Sequence, residues 1–416
     1  LKIPIRPIFY GWVVVAAAFV VMFVGFGAAY TFPAFFAPLQ QEFAATRGEV
    51  SLVFSVAGFL YFILGAASGP LADRFGPRSV IAGGILCIAL GMAAASQAQS
   101  LRAVLLAYGI GVGVGVGFSY VPAIAVVQRW FLRKRGQASG IAVMGIGLGT
   151  MVMPPLAAWM IAALTWRGAY LALAVGVALL GGIAALAIRA SPAQLGLRPD
   201  GAPQPPDIPG TGPAAGQAPG FVLSEALRHP AFWRLYLGCA FYCIGTFVPF
   251  VHLAAYAHDR GLTAAQGVWL VALIGLGSTC GRFLLGGVAD RLGRGRALAS
   301  TMFLSGAMMG FWLLVDGFGG LAVFAVGFGV FYGGFVALIP AYTVDLFGAR
   351  AASAIIGVLY TSVACGTLLG PTLAGFAFDS SGSYVLPIAL CSAASVAATS
   401  VIARLPARLE HLSTRS

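Results

Sequence analysis

The sequence predicts an all-α membrane protein in which twelve transmembrane helices form two pseudo-symmetric six-helix bundles. Three observations carry that prediction. Of the 416 residues, 60% are hydrophobic and 9% charged, against about 25% charged in a soluble globular domain. Apolar runs of roughly 20 residues, the length that crosses a bilayer as a helix, recur along the whole chain. A charged motif in the first half returns in the second, displaced by the 217 residues from Asp73 to Asp290.

Taken in order, the runs cover residues 8–30, 50–70, 79–99, 102–128, 138–162 and 168–188 before the middle of the chain, and 232–257, 263–287, 296–315, 317–344, 351–377 and 383–403 after it. Gly, Pro and charge clusters punctuate them. The first run exceeds the apolar core of a signal peptide and ends at Thr31-Phe32-Pro33 without a small-x-small cleavage site, so it is expected to stay as a membrane span. Ser191–Gly220 is rich in Pro, Gly and Ala, a composition that builds neither a core nor a regular helix. It divides the chain into an N-terminal bundle (1–190), a linker (191–230) and a C-terminal bundle (231–416).

Charge supplies the orientation. With both termini and the linker in the cytoplasm, every one of the 24 Lys and Arg residues is inside except Arg47, Arg102, Arg167, Arg260 and Arg282. That bias follows the positive-inside rule, and it explains the basic composition better than a nucleic-acid surface would. The six cysteines lie in apolar segments without a CxxC pair, which suggests neither a disulfide framework nor a zinc site. No HExxH, paired acids or Cys/His cluster is present, so neither an enzyme nor a cofactor is expected.

Arg282 is the only charged residue between Arg260 and Asp290. Eight residues before Asp290, at about 1.5 Å per residue, it lies roughly 12 Å deep, near the bilayer midplane. A guanidinium keeps its proton there and costs at least about 2.5–3.5 kcal/mol to insert, so it is expected to face a protein cavity and meet an anion. The bland alternative is an arginine that snorkels or rests on a backbone carbonyl. Tyr120, nine residues before Arg129, reaches a similar depth of about 13.5 Å; it and Tyr332 are candidates to donate to a substrate, or else aromatic core fillers. His252 is the only histidine expected within the membrane. It is a candidate to line the substrate site and to carry the proton, for which imidazole is suited, although a neutral structural histidine fits equally.

The repeated motif, Gly69-Pro70-Leu71-Ala72-Asp73-Arg74-Phe75-Gly76-Pro77-Arg78 and Gly287-Val288-Ala289-Asp290-Arg291-Leu292-Gly293-Arg294-Gly295-Arg296, resembles the signature loop of the major facilitator superfamily. The resemblance covers the whole chain and implies the major facilitator fold. It also implies alternating access about a site between two repeats. Asp73, Arg74, Arg78, Asp290 and Arg291 would form a cytoplasmic gate, the aspartates favouring the positive ends of helices across the bundle interface.

Further motifs resemble the monocarboxylate transporter and oxalate/formate antiporter branch. They are Tyr10-Gly11-Trp12-Val13-Val14, Tyr30-Thr31-Phe32-Pro33, the Trp130–Gly140 stretch, Phe247-Val248-Pro249-Phe250-Val251-His252-Leu253 and Gly281-Arg282. The resemblance puts the substrate-carboxylate arginine on Arg282 and favours Tyr30 as a lining residue. Three positions depart from the branch. Ala34 stands where animal carriers have lysine, Ser278 where they have aspartate, and the region Thr361–Gly370, where the oxalate exchanger has a lysine, offers Cys365 and no charge. Ser278 and Cys365 are therefore candidate lining residues without charge. One deep cation matches one carboxylate, because a second anionic charge would be left unpaired in a low-dielectric site. The expected partners are a small monocarboxylate of the lactate or pyruvate kind, protons and the lipid bilayer, with no nucleic acid and a monomer sufficient. Proton symport is the first expectation, carboxylate exchange of the oxalate/formate type the alternative, and a drug or sugar carrier the more distant one. The Ala- and Arg-rich, Lys-poor usage suggests a bacterial inner membrane.

Overall fold

A computed structural model describes residues 9–201, 220–348, 350–406 and 408–409; the side chains of Arg135 and Asp290 lie outside that description. Among the described residues ten helices are long and apolar enough to span a membrane. One of these is a pair, because the helix Arg135–Ala187 contains Thr165 at φ 80° and ψ 164°, a left-handed conformation that breaks the helical ladder. Adding the more polar Arg294–Trp312 gives twelve spans. We number them α1 (Tyr10–Glu42), α2 (Arg47–Phe75), α3 (Pro77–Ser96), α4 (Leu101–Trp130), α5 (135–164), α6 (166–187), α7 (Pro230–Asp259), α8 (Ala264–Leu292), α9 (Arg294–Trp312), α10 (Gly317–Phe347), α11 (Ala352–Ser381) and α12 (Val385–Ile402).

The first and seventh spans are longer than the apolar runs predict, and for the same reason. Each has a joint two residues before a proline. Thr31 precedes the segment Phe32–Glu42 with Pro33 in its first turn, and Phe247 precedes Val248–Asp259 with Pro249 in its first turn. Proline is tolerated there because its missing N–H has no intrahelical partner to lose. The twofold likeness of the halves thus extends to where their first helices are jointed.

Within each half, backbones approach where glycine removes the side chain. A Cβ on Gly281 would run into the Val330 carbonyl, and one on Gly333 into the Ser278 carbonyl, so α8 lies directly against α10. Between the halves, α2 packs on α11 and α5 on α8. Glycine again sets the spacing: a Cβ on Gly375 would lie 2.7 Å from both Cα and N of Gly48, and one on Gly275 2.7 Å from the Met151 nitrogen.

The linker is irregular where it is described, with short 3-10 turns at Pro192–Leu195 and Pro199–Gly201. Asp200 anchors it to the start of α5 by accepting the backbone N–H groups of Leu132 (2.9 Å) and Arg133 (2.8 Å), with Lys134 at 3.4 Å. We call this side of the molecule the linker face and the opposite side the far face.

Candidate substrate site

Arg282 projects from the middle of α8 into the space between the halves. Its bearing is fixed by Gly281, whose bare backbone seats α8 on α10. One terminal nitrogen donates to the Val143 carbonyl on α5, at 3.0 Å. Its Nε is buried and has no partner among the described residues. An unpaired donor on a buried cation is costly, and this nitrogen has capacity for one acceptor.

The guanidinium lines a cavity of ≈ 40 Å³ with Tyr120 and Tyr332, among largely apolar neighbours that include Phe247, Phe335 and Ile339. Among the described residues no Asp or Glu lines it. The Tyr332 hydroxyl is 3.1 Å from that of Tyr30, linking α10 to α1 across the interface. Arg282, Tyr30, Tyr120 and Tyr332 therefore come together. The remaining candidates do not. Ser278 is buried with its hydroxyl unpartnered, but it does not line the cavity. Cys365 on α11 is exposed and is not among the residues lining the cavity or the vestibule beyond it: α11 is largely apolar all round, so position along it gives no bearing. Sequence reasoning also passed over Tyr360, Phe62, Cys243 and Thr246, which line the same cavity. Aromatic and small polar residues on uniformly apolar helices offer no pattern that separates lining from packing.

Past Phe26, Phe62, Tyr120 and Tyr360 the cavity meets a vestibule of ≈ 590 Å³, bordered by Asp73, Pro77, Arg129 and Ser353 at the linker face. The linker face is thus open. Of the expected gate residues, the side chain of Asp290 lies outside the described residues, and none of the other four is latched across the halves in this conformation. Asp73 pairs with Arg129 of its own bundle at 2.7 Å, Arg74 lies over the ring of its neighbour Phe75, and Arg78 and Arg291 are exposed.

The far face is closed. Arg47 at the start of α2 makes a two-pronged ion pair with Asp259 at the end of α7, both contacts 2.7 Å, and donates to the Tyr384 hydroxyl at 3.0 Å. Asp379 on α11 accepts the backbone N–H groups of Arg47 (2.9 Å) and Gly48 (2.8 Å), where the helix dipole favours a carboxylate. His252 belongs to this closure rather than to the cavity. Buried, it bonds Ser51 of α2 (3.1 Å), the Pro371 carbonyl (2.8 Å) and the Tyr384 hydroxyl (2.9 Å). Because a carbonyl only accepts, Nε2 carries the proton and Nδ1 accepts from Tyr384.

A sequence model of the Major Facilitator Superfamily matches residues 17–329 and again 269–415. The chain belongs to the major facilitator superfamily. It is accordingly a multi-pass membrane transporter rather than an enzyme. Among its superfamily relatives, monocarboxylate transporter 13 of Bos taurus is 28% identical over 400 residues, covering 95% of this chain and 89% of the relative. Monocarboxylate transporter 11 of Homo sapiens is 29% identical, covering 96% and 84%. A crystal structure of a bacterial homologue of the human lysosomal transporter Spinster, inward-facing and unoccupied, superposes with a TM-score of 0.66 at 18% identity, covering 96% of each chain. That likeness shows the fold.

Proposed function

We propose that this transporter carries monocarboxylate anions, lactate and pyruvate being the small members of the class, by alternating access, with Arg282 holding the carboxylate. The observation that carries the reading is the buried Nε of Arg282, unpartnered among the described residues, in a cavity whose described lining includes phenols and no acid. A carboxylate would complete the arginine with a charge-assisted bond. The relatives named monocarboxylate transporters support the same cargo. Tyr30 and Tyr332 bridge the halves beside it, so binding and closure involve the same groups. On the positive-inside orientation both termini are cytoplasmic and the open linker face looks into the cell.

For coupling, the first reading is proton symport, with His252 as the candidate carrier because it is the imidazole buried between the halves. Carboxylate exchange is the second reading, and one observation favours it: the partner of Arg282 is a neutral carbonyl, and Ser278 supplies no charge in place of an acid. Closing the cavity over an unneutralised guanidinium costs several kcal/mol of desolvation, so the empty carrier would return slowly.

Purified protein in liposomes tests both. Uptake of labelled L-lactate driven by an inward proton gradient, without internal anion, is the result of symport; uptake only after pyruvate is loaded inside is the result of exchange. In either case Arg282→Ala is expected to lower monocarboxylate binding by about 100-fold, the loss of one strong charged hydrogen-bond pair. Undiminished binding by the folded variant overturns the reading.

A further inference from the structure

We propose that the preferred cargo is a monocarboxylate with an aryl or branched apolar tail, held with its carboxylate at Arg282 and its tail inside a collar formed by Phe26, Phe62, Tyr120 and Tyr360. The inference rests on the monocarboxylate reading and specifies its cargo.

Volume gives the first argument. The Arg282 cavity, ≈ 40 Å³, is far smaller than the vestibule of ≈ 590 Å³ that it meets. A cargo anchored at Arg282 therefore extends any bulky tail toward the vestibule.

The passage it must occupy gives the second. Phe26, Phe62, Tyr120 and Tyr360 line both the cavity and the vestibule, and they come from α1, α2, α4 and α11, so both halves contribute. They are arranged as two edge-to-face pairs. Phe26 and Tyr120 have ring centres 5.3 Å apart at 87°, and Phe62 and Tyr360 6.1 Å apart at 78°. Such a collar presents ring faces and edges to a guest, the geometry in which a further aromatic ring packs well. Just beyond it the vestibule wall continues with Gly65, Ala66, Val121 and Gly357, and its charged residues, Asp73 and Arg129, stand at the mouth.

Hydrogen bonding gives the third. The hydroxyls of Tyr120 and Tyr360 have no hydrogen-bond partner among the described residues. They can serve an oxygen on the second carbon of the cargo or a substituent on its ring. Acetate or lactate, seated at Arg282, would leave most of the collar in contact with water, whereas an aryl or branched tail displaces that water.

Purified full-length protein, titrated calorimetrically with acetate, L-lactate, 4-methyl-2-oxopentanoate and phenylpyruvate, tests the proposal. The two larger acids are expected to bind at least about tenfold tighter than lactate, the gain from burying a hydrocarbon tail. Phe62→Leu is expected to contract that ratio, and Tyr360→Phe provides a second collar change that keeps the ring. Lactate binding as tightly as phenylpyruvate, or a ratio indifferent to both substitutions, overturns the collar while leaving the monocarboxylate reading in place. Binding of none of the four acids to cooperatively melting protein overturns both.

Discussion

The guanidinium of Arg47 grips both carboxylate oxygens of Asp259 across the two halves, at 2.7 Å each. The contact holds the far face shut, and Arg47 is largely shielded there, with 13% of its side chain accessible. Arg47→Ala removes about 1–3 kcal/mol from the conformation open at the linker face, a roughly 5- to 150-fold shift in population. The readout is alkylation of Ser353→Cys in the vestibule, which is expected to slow several-fold when Arg47 is replaced. An unchanged rate would mean that the pair is not what keeps the far face closed.

Two glycine substitutions separate folding from gating. Gly281→Ala forces α8 away from α10 inside one bundle, and overpacking of this kind costs about 1–3 kcal/mol. It is expected to lower the melting temperature and to disturb Arg282, weakening substrate binding as well. Gly375→Ala acts where α11 meets α2 between the halves. It is expected to leave melting nearly unchanged and to reduce Ser353→Cys alkylation, as Arg47→Ala does. Equal effects of the two substitutions on melting would contradict the division into bundles that move against each other.

Tyr332→Phe deletes the hydroxyl that meets Tyr30 at 3.1 Å. A neutral hydrogen bond contributes about 0.5–1.5 kcal/mol, so substrate affinity is expected to fall by up to roughly tenfold. Tyr30→Phe should give a similar loss, and the double variant little more than either alone. Additive losses in titration calorimetry would show that the two phenols act separately.

Asp200 ties the linker to α5 in a pH-dependent way. Burial pushes its carboxyl up, but the backbone N–H groups of Arg133, Leu132 and Lys134, with the Arg133 charge, outweigh it and hold the carboxyl below its ordinary value. A lowered folded-state value means that the anchoring is complete above the unfolded value, about 3.9, and is lost as pH falls through the folded one. The protection of the Leu132 and Arg133 amides from hydrogen exchange, taken relative to the intrinsic rate at each pH, should therefore fall in acid. Asp200→Asn should lower that protection already at neutral pH and remove its acid dependence.

Much of this was legible in the chain. Arg282 could be found because a lone cation inside an apolar run has few reasons to be there, and depth follows from counting residues to Asp290. The halves could be found because Asp73 and Asp290 repeat the same loop. Bearings around the helix axis were not legible. Cys365 and Tyr360 lie on the same helix, and nothing in a segment largely apolar all round says that Tyr360 lines the cavity while Cys365 does not. The far-face closure was missed for a different reason. Arg47, Asp259 and Asp379 read as ordinary loop-end charges, and His252 as a membrane-embedded candidate for the substrate site; only their meeting across more than two hundred residues of chain makes them one assembly.

The contact of Asp379 with the start of α2 has a genetic consequence. Both of its donors are main-chain N–H groups, those of Arg47 and Gly48. No substitution of a side chain on α2 can delete such donors, short of proline, so the heritable half of the lock resides in Asp379. A selection for variants that rest with the far face open should therefore return changes at Asp379 repeatedly. Compensation for them is to be sought at the linker face, where weakening the opposite closure restores the balance between the two resting states.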